Sequence, residues 1–294
     1  MEHAAAHEGT GTEKRATLYV VATPVGNLGD ISRRALEVLG SVDAVAAEDT
    51  RVTGRLLARY GIEKRLIAVH EHNERRAAGE VVKLLAAGRS LALTCDSGTP
   101  TISDPGAAVV AAARAAGYPV SPVPGANAAI AALSVSGLAA PHFLFYGFLP
   151  AKAAARRREL AQLARLPYTL VFHEAPHRVE ECVADLVETL GGERRIVFAR
   201  ELTKLFETVH DCELAAAPAW LAADFNRRKG EFVLIVEGRR GEAEQDAGLA
   251  QRALAVLLEE LPLKQAVNLA AKIADGKKNE LYRMALAMRE KCDS

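Results

Sequence analysis

Carboxylates and cations recur just beyond short apolar runs of this chain. Glu48-Asp49-Thr50-Arg51 follows one run, Asp96-Ser97-Gly98-Thr99 a second, Glu174 with Arg178 a third, and Arg200-Glu201 with Lys204 a fourth. Charge at the end of a buried strand is costly unless it is solvated or aimed into a cleft. Mixed sets of carboxylate, guanidinium and ammonium are also the parts from which acid–base chemistry and anion recognition are built. Glycine- and proline-bearing turns lie among them: Thr23-Pro24-Val25-Gly26-Asn27, then Asp96 to Pro100 running on to Asp104-Pro105-Gly106, and Pro124-Gly125-Ala126-Asn127. Such turns let backbone approach a ligand with no bulky side chain between. Ligands of open α/β sheets bind beyond the carboxyl ends of the strands. The three turns are therefore expected to form one small-molecule pocket, with Asp96 accepting hydrogen bonds from a ligand and Asp104 either doing the same or capping a helix.

Several chemistries are disfavoured. Neither G-x-x-x-x-G-K-[ST] nor G-x-G-x-x-G follows the first strand, which argues against a P-loop or an ordinary dinucleotide fold. His70-Glu71-His72-Asn73-Glu74 lacks the H-E-x-x-H spacing and no third ligand is placed by sequence, so no metal is expected. Cys95, Cys182, Cys212 and Cys292 include no C-x-x-C pair, a usage that fits reduced thiols in a cytoplasmic protein. Lys+Arg and Asp+Glu number 37 each, so any nucleic-acid surface must be a local patch. Lys152, Arg156, Arg157, Arg158 and Arg165, opposed locally by Glu159 alone, make one basic helix face, suited to solvent or to phosphates. No run approaches the ~18 apolar residues of a membrane span.

These groups need a scaffold, and the hydrophobic pattern supplies one. Strand-length apolar runs alternate with amphipathic helical runs, the mark of βαβ units and a largely parallel sheet. Strands are predicted at 18–22, 44–47, 66–69, 91–94 and 120–123, with helices near 32–39, 51–60, 74–87 and 106–116. A small-residue helix then runs to Ser136, an apolar run covers 143–146, and a second α/β unit has strands near 169–172, 196–199 and 232–237 and helices near 156–166 and 178–190. The expected fold is α/β in two domains, at 17–123 and 124–240, between a disordered tail at 1–16 and a small C-terminal helical tail at 241–294. The first tail has no apolar core, so it reads as neither signal peptide nor anchor.

The segments ATPVGNLGD, AAEDTR, CDSGTPTISDPG, PVPGANAAIAALSVSG, FLFYGFLP, EAPHRV, ARELTK and KGEFVLIVEG closely resemble the tetrapyrrole-methylase superfamily. The GFLP, EAPHR and ELTK signatures resemble its branch that methylates a cytidine 2'-hydroxyl in the decoding region of 16S ribosomal RNA. The resemblance covers about residues 17 to 290. It implies two α/β domains with S-adenosylmethionine in the cleft between them, a homodimer, and the small ribosomal subunit or its 16S RNA as partner. By position, Pro24, Gly26, Asp96, Thr99, Gly125, Asn127 and Ala128 are expected around the cofactor. Methyl transfer to a ribose hydroxyl asks for a base, for which Glu174 and Glu48 are the alternatives. Lys204, Arg51 and Arg178 would steady the alkoxide or hold RNA phosphates, and Arg156 and Arg157 would extend the RNA surface. The tail has a helix-turn-helix flavour that serves RNA or dimer packing equally well. Carbon methylation of a tetrapyrrole precursor is the alternative activity on the same fold, and a non-enzymatic nucleoside-binding module is disfavoured by so many polar strand ends.

Overall fold

The computed structural model describes residues 15–239, 253–258, 260–273 and 278–292. Five four-residue strands, β1 (Leu18–Val21), β2 (Ala44–Ala47), β3 (Arg65–Ala68), β4 (Leu91–Thr94) and β5 (Val120–Val123), make a sheet of order β3-β2-β4-β1-β5. All its pairings are parallel. Every residue of β2 and β4 is buried, as strands covered on both faces require. Helices α1 (Arg33–Ser41) and α2 (Thr50–Arg59) set Ala35, Leu39 and Leu57 against Val21, Val45 and Ala92. Helices α3 (Glu74–Ala86) and α4 (Ala107–Ala115) set Val81, Leu85 and Val109 against Leu18, Leu91 and Leu93. Because β4, β1 and β5 are neighbours and run the same way, the three glycine-proline turns leave one edge of the sheet side by side.

A second lobe follows, with α5 (Ala128–Val135), β6 (Phe143–Phe148), α6 (Ala153–Leu163), β7 (Thr169–Glu174), α7 (Val179–Leu190), β8 (Arg195–Arg200), β9 (Thr208–Glu213), α8 (Ala217–Ala222) and β10 (Phe232–Val236). Its sheet order is β6-β7-β10-β8-β9, and only β6 and β7 pair in parallel. The largely parallel character expected of the chain thus belongs to the first lobe alone. Here β8 and β9 form a hairpin, and β10 returns antiparallel between β7 and β8. Strand β9 escaped prediction because its sequence, TVHDCE, has no apolar stripe, and as an edge strand it needs none. Helix α5 is built of small residues, so Ala129 and Ala132 lie close on Val171, Val197 and Ile235.

The described residues of 162–168 and 238–294 form a second compact unit. Its described parts are helical at 253–258, Leu263–Ile273 and Lys278–Cys292, around Leu254, Ala266, Val267, Ala270, Leu281 and Ala285. The expected tail at 1–16 lies outside the described residues except for Arg15 and Ala16. Among the described residues no helix is long and apolar enough to cross a membrane.

Candidate functional site

The three turns are stitched together by backbone. Thr23 and Gly98 exchange N–H···O bonds of 2.8 and 3.1 Å in an isolated antiparallel bridge. The Thr23 hydroxyl donates to the Cys95 carbonyl at 3.1 Å, and the Thr99 hydroxyl to the Ala126 carbonyl at 3.0 Å. Gly98 holds φ +89, which favours glycine. Further along the turn, Thr101 and Ser103 hold left-handed φ of 74 and 68, a strain of about 1–3 kcal/mol each that only a well-braced loop sustains. The brace is Glu74, whose Oε1 accepts the Gly106 and Ala108 N–H groups at 2.8 and 2.7 Å and so caps α4 from outside.

The second lobe answers with the turn after β8. Its Thr203 hydroxyl accepts the Asn27 N–H at 3.0 Å. Lys204 Nζ sits 2.9 Å from both Glu201 Oε1 and Glu231 Oε2. Burial pulls the Lys204 ammonium down, but its bonds to Glu231 and Glu201 more than offset that, so its pKa is raised and it stays a cation.

Two cavities meet here. One of about 340 Å³ is lined by Val25, Ser97 to Thr99 and Ile102 to Asp104 from the first lobe and by Asn127, Ala128, His173, Glu174, Leu202 and Glu231 from the second. The other, about 320 Å³, is lined by Pro24, Val25, Gly26, Asp96, Ser97, Lys204 and Glu231. Val25, Ser97 and Glu231 border both. Walls shared in this way suit two reactants held at contact distance. Burial, then the charge of Glu48, raises the Asp104 carboxyl to about 6. Burial likewise raises Glu48, with Asp96 and Asp49 adding to it against a bond from the Asp96 N–H. Burial keeps His173 neutral, its ring set edgewise against Phe145 and Phe148. No Lys or Arg is among the residues lining the first cavity, which therefore suits a cationic ligand.

The sequence-predicted residues divide among several places. Thr99, Asn127, Ala128 and Glu174 line the first cavity, and Pro24, Gly26, Asp96 and Lys204 the second. The Asn127 side chain caps α5, accepting the Ile130 N–H at 3.1 Å. Gly125 packs on Ala22, where an added Cβ would come within 3.0 Å of Ala22 Cβ. Glu174 is 2% exposed; its Oε1 accepts the Ala175 N–H at 2.8 Å and lies 3.3 Å from Arg178 Nε, while Oε2 is buried without a hydrogen bond. Glu48 borders a third cavity, with His70, His72 and Asp104. Arg51 is 86% exposed and paired to Asp49, Arg157 pairs with Glu188 and Asp185, and Arg178 donates to the Leu149 carbonyl. Arg156 corrects the expectation of an RNA contact: it is 1% exposed, its Nε 2.6 Å from Asp185, because α6 turns this position of the basic run onto α7. Glu231 borders both cavities and was not singled out from sequence, while Ser97 and His173 were read only as members of their strand-end turns.

Residues 17–218 match the family model for Tetrapyrrole (Corrin/Porphyrin) Methylases, and 243–289 match the RsmI C-terminal HTH domain. The chain is 51% identical over 270 residues to "Ribosomal RNA small subunit methyltransferase I" of Vibrio cholerae, covering 92% of this chain and 94% of that protein. It is 52% identical over 277 residues to the protein of the same name from Pseudomonas aeruginosa, covering 94% and 98%. Among solved structures, the methyltransferase CobJ superposes with a TM-score of 0.58 at 20% identity over 77% of this chain and 97% of that one, a likeness of fold.

Proposed function

The chain belongs to the tetrapyrrole (corrin/porphyrin) methylase family, and we infer that it is a methyltransferase of small-subunit ribosomal RNA, moving a methyl group from S-adenosylmethionine onto the 2'-hydroxyl of a cytidine in the 16S chain. The observation that supports a two-reactant transfer is the pair of cavities meeting at Val25, Ser97 and Glu231.

The larger of the two fits the donor chemically. Val25, Ile102 and Leu202 offer apolar surface to an adenine, Gly98 leaves the backbone of its turn open to close approach, and Asp104, Glu174 and Glu231 suit a cationic amine and sulfonium. Bound there, S-adenosylmethionine supplies an electrophilic methyl. The chain's own residues must then orient the ribose and take its proton as the C–O bond forms and the C–S bond breaks. Positioning of this kind is worth roughly 7–11 kcal/mol of barrier. Among the carboxylates lining these cavities, Glu231 alone borders both, so it takes the hydroxyl proton. Lys204, 2.9 Å from it, faces the acceptor cavity, where it steadies the developing alkoxide. A ribosomal-RNA substrate suits a cytoplasmic enzyme, and the family likeness suits a homodimer.

Transfer of tritiated methyl from S-adenosylmethionine onto small subunits, naked 16S RNA and a porphyrin precursor tests this reading. Label in an alkali-resistant dinucleotide is the expected result, since a 2'-O-methyl blocks hydrolysis of the next phosphodiester. Label on the porphyrin ring instead would overturn it.

A further inference from the structure

Outside both cavities, the second lobe carries a basic and aromatic turn between α8 and β10. Residues Phe225–Arg228 form a single 3-10 turn, capped by Asp224, whose Oδ1 accepts the Asn226 N–H at 2.8 Å. Phe225 is 63% exposed, and its ring is flanked by Lys229 Nζ at 4.2 Å and Arg228 Cζ at 5.3 Å from the centroid. Glu180 neutralises Arg228 at 3.1 Å.

The other cations are held by neutral oxygens. Arg200 Nε donates to the Lys229 carbonyl at 2.6 Å, and its Nη1 to the Phe206 carbonyl at 3.1 Å and the Thr208 hydroxyl at 3.3 Å. Arg227 Nη1 donates to the Trp220 carbonyl at 3.0 Å, and Lys229 Nζ to Asn226 Oδ1 at 3.3 Å. Arg200 is only 9% exposed, and among the described residues no carboxylate pairs with it directly, although its charge reaches Glu201; a buried guanidinium held in this way favours an anion from outside. Arg200 and Arg227 line one cavity of about 360 Å³ with His210 and Trp220, whose rings stack at 4.2 Å and 5°. Asp224, the carboxylate in that wall, has one oxygen committed to the turn.

We propose that this surface docks a single-stranded stretch of the RNA substrate, with backbone phosphates on Arg200, Arg227 and Lys229 and an unstacked base on Phe225. An apolar protein partner would use the exposed ring but would leave three cations without counter-charge; a nucleic-acid strand uses both. Stacking on an aromatic face with phosphate neutralisation beside it is the general chemistry of single-strand binding. Arg200 runs directly into Glu201 to Lys204, the turn that borders the acceptor cavity, so a strand docked here leads to the methylation site. The proposal rests on the ribosomal-RNA reading and gives it a second point of contact.

The test uses the full chain, a fluorescent single-stranded oligoribonucleotide and 16S RNA, with binding followed over a range of KCl concentrations. Phe225→Leu is expected to weaken RNA binding roughly five- to a hundredfold while Phe225→Tyr keeps it. Arg227→Gln with Lys229→Gln should flatten the salt dependence by about one to two phosphate contacts. S-adenosylmethionine affinity and elution volume should stay those of the parent in every variant. Parental RNA affinity in Phe225→Leu together with an unchanged salt slope in the double variant, with the parent still methylating RNA, would overturn this proposal alone. A changed elution volume at parental RNA affinity would overturn it in favour of a protein contact. A parent that neither binds nor methylates RNA would overturn the functional reading with it.

Discussion

The Asn27 N–H donates to the Thr203 hydroxyl at 3.0 Å, tying the first turn of one lobe to the turn after β8 in the other. Thr203 offers its oxygen from a left-handed backbone, φ +63, so the bond is made at the cost of strain. Beside it, a Cβ on Gly26 would come within 2.6 Å of Lys204 Cγ and 2.8 Å of the Leu202 carbonyl. The lysine can swing away, but the carbonyl moves only with its turn. Gly26→Ala should therefore push the lobes apart, lowering methyl transfer at least about tenfold and stability by about 1–3 kcal/mol, as initial rates and thermal melts would read. Parental rates would mean that this close approach has no part in catalysis.

Asp104 links donor binding to pH. Its folded-state pKa, about 6, lies above the ordinary carboxylate value of about 4, so the folded chain holds the proton more tightly than the unfolded one. The stability this confers is complete below about pH 4 and is lost as pH rises through about 6. Asp104→Asn should thus gain on the parent in melts as pH is raised across that window. The ionised carboxylate also favours a cationic donor, so S-adenosylmethionine affinity should climb by up to about tenfold per pH unit below about 6 and then level, whereas Asp104→Asn stays flat. A parent profile as flat as the variant's would remove Asp104 from the donor site.

Much of the site was legible because the first lobe obeys one rule. Its strands are parallel and mostly apolar, each ends in a recognisable turn, and the turns must share an edge. Glu231 was hidden by the same rule. It stands before an apolar run, at a strand start, whereas the groups sought were at strand ends. Since β10 runs antiparallel to β7 and β8, its first residue, Phe232, lies opposite Glu174 and Arg200, and strand start and strand ends reach one cleft. Arg156 misled for a different reason. A run of like charges says nothing about which member of it faces a neighbouring helix.

Asn127 holds α5 by its side chain, so its structural and ligand-binding roles can be separated. Asn127→Ala should cost about 0.5–2 kcal/mol by removing the cap, while Asn127→Ser should keep the cap and with it most of the stability. Donor affinity should follow stability in this pair. A Ser variant of parental stability that binds S-adenosylmethionine many-fold more weakly would show instead that the amide touches the cofactor.

The Arg156–Asp185 pair makes a prediction about stability alone. Asp185→Ala leaves a guanidinium that is 1% exposed with Glu181, at 3.8 Å, as its remaining carboxylate, and breaking a buried pair from one side costs about 3–5 kcal/mol. Denaturant melts should record that loss, while RNA affinity per folded molecule is unchanged. A stable Arg156→Met with weakened RNA binding would return Arg156 to the RNA surface.

Three carboxylates compete for the ribose proton, and their surroundings rank them. Glu48 borders neither of the two joined cavities, and its oxygen is engaged by the Asp96 N–H at 3.2 Å. Glu174 lines the donor cavity, but it is 2% exposed and its Oε1 serves the start of the turn into α7, so it shapes the wall. Glu231 is exposed, borders both cavities and lies 2.9 Å from Lys204. Glu231→Gln should lower the rate of methyl transfer by about a hundred- to ten-thousandfold, the range of general base catalysis, a loss far larger than its loss of S-adenosylmethionine affinity. Glu48→Gln should fall far less, and Glu174→Gln should lose stability before it loses rate per folded molecule. If Glu231→Gln turns over as the parent does, positioning alone drives the transfer and the hydroxyl proton leaves to water.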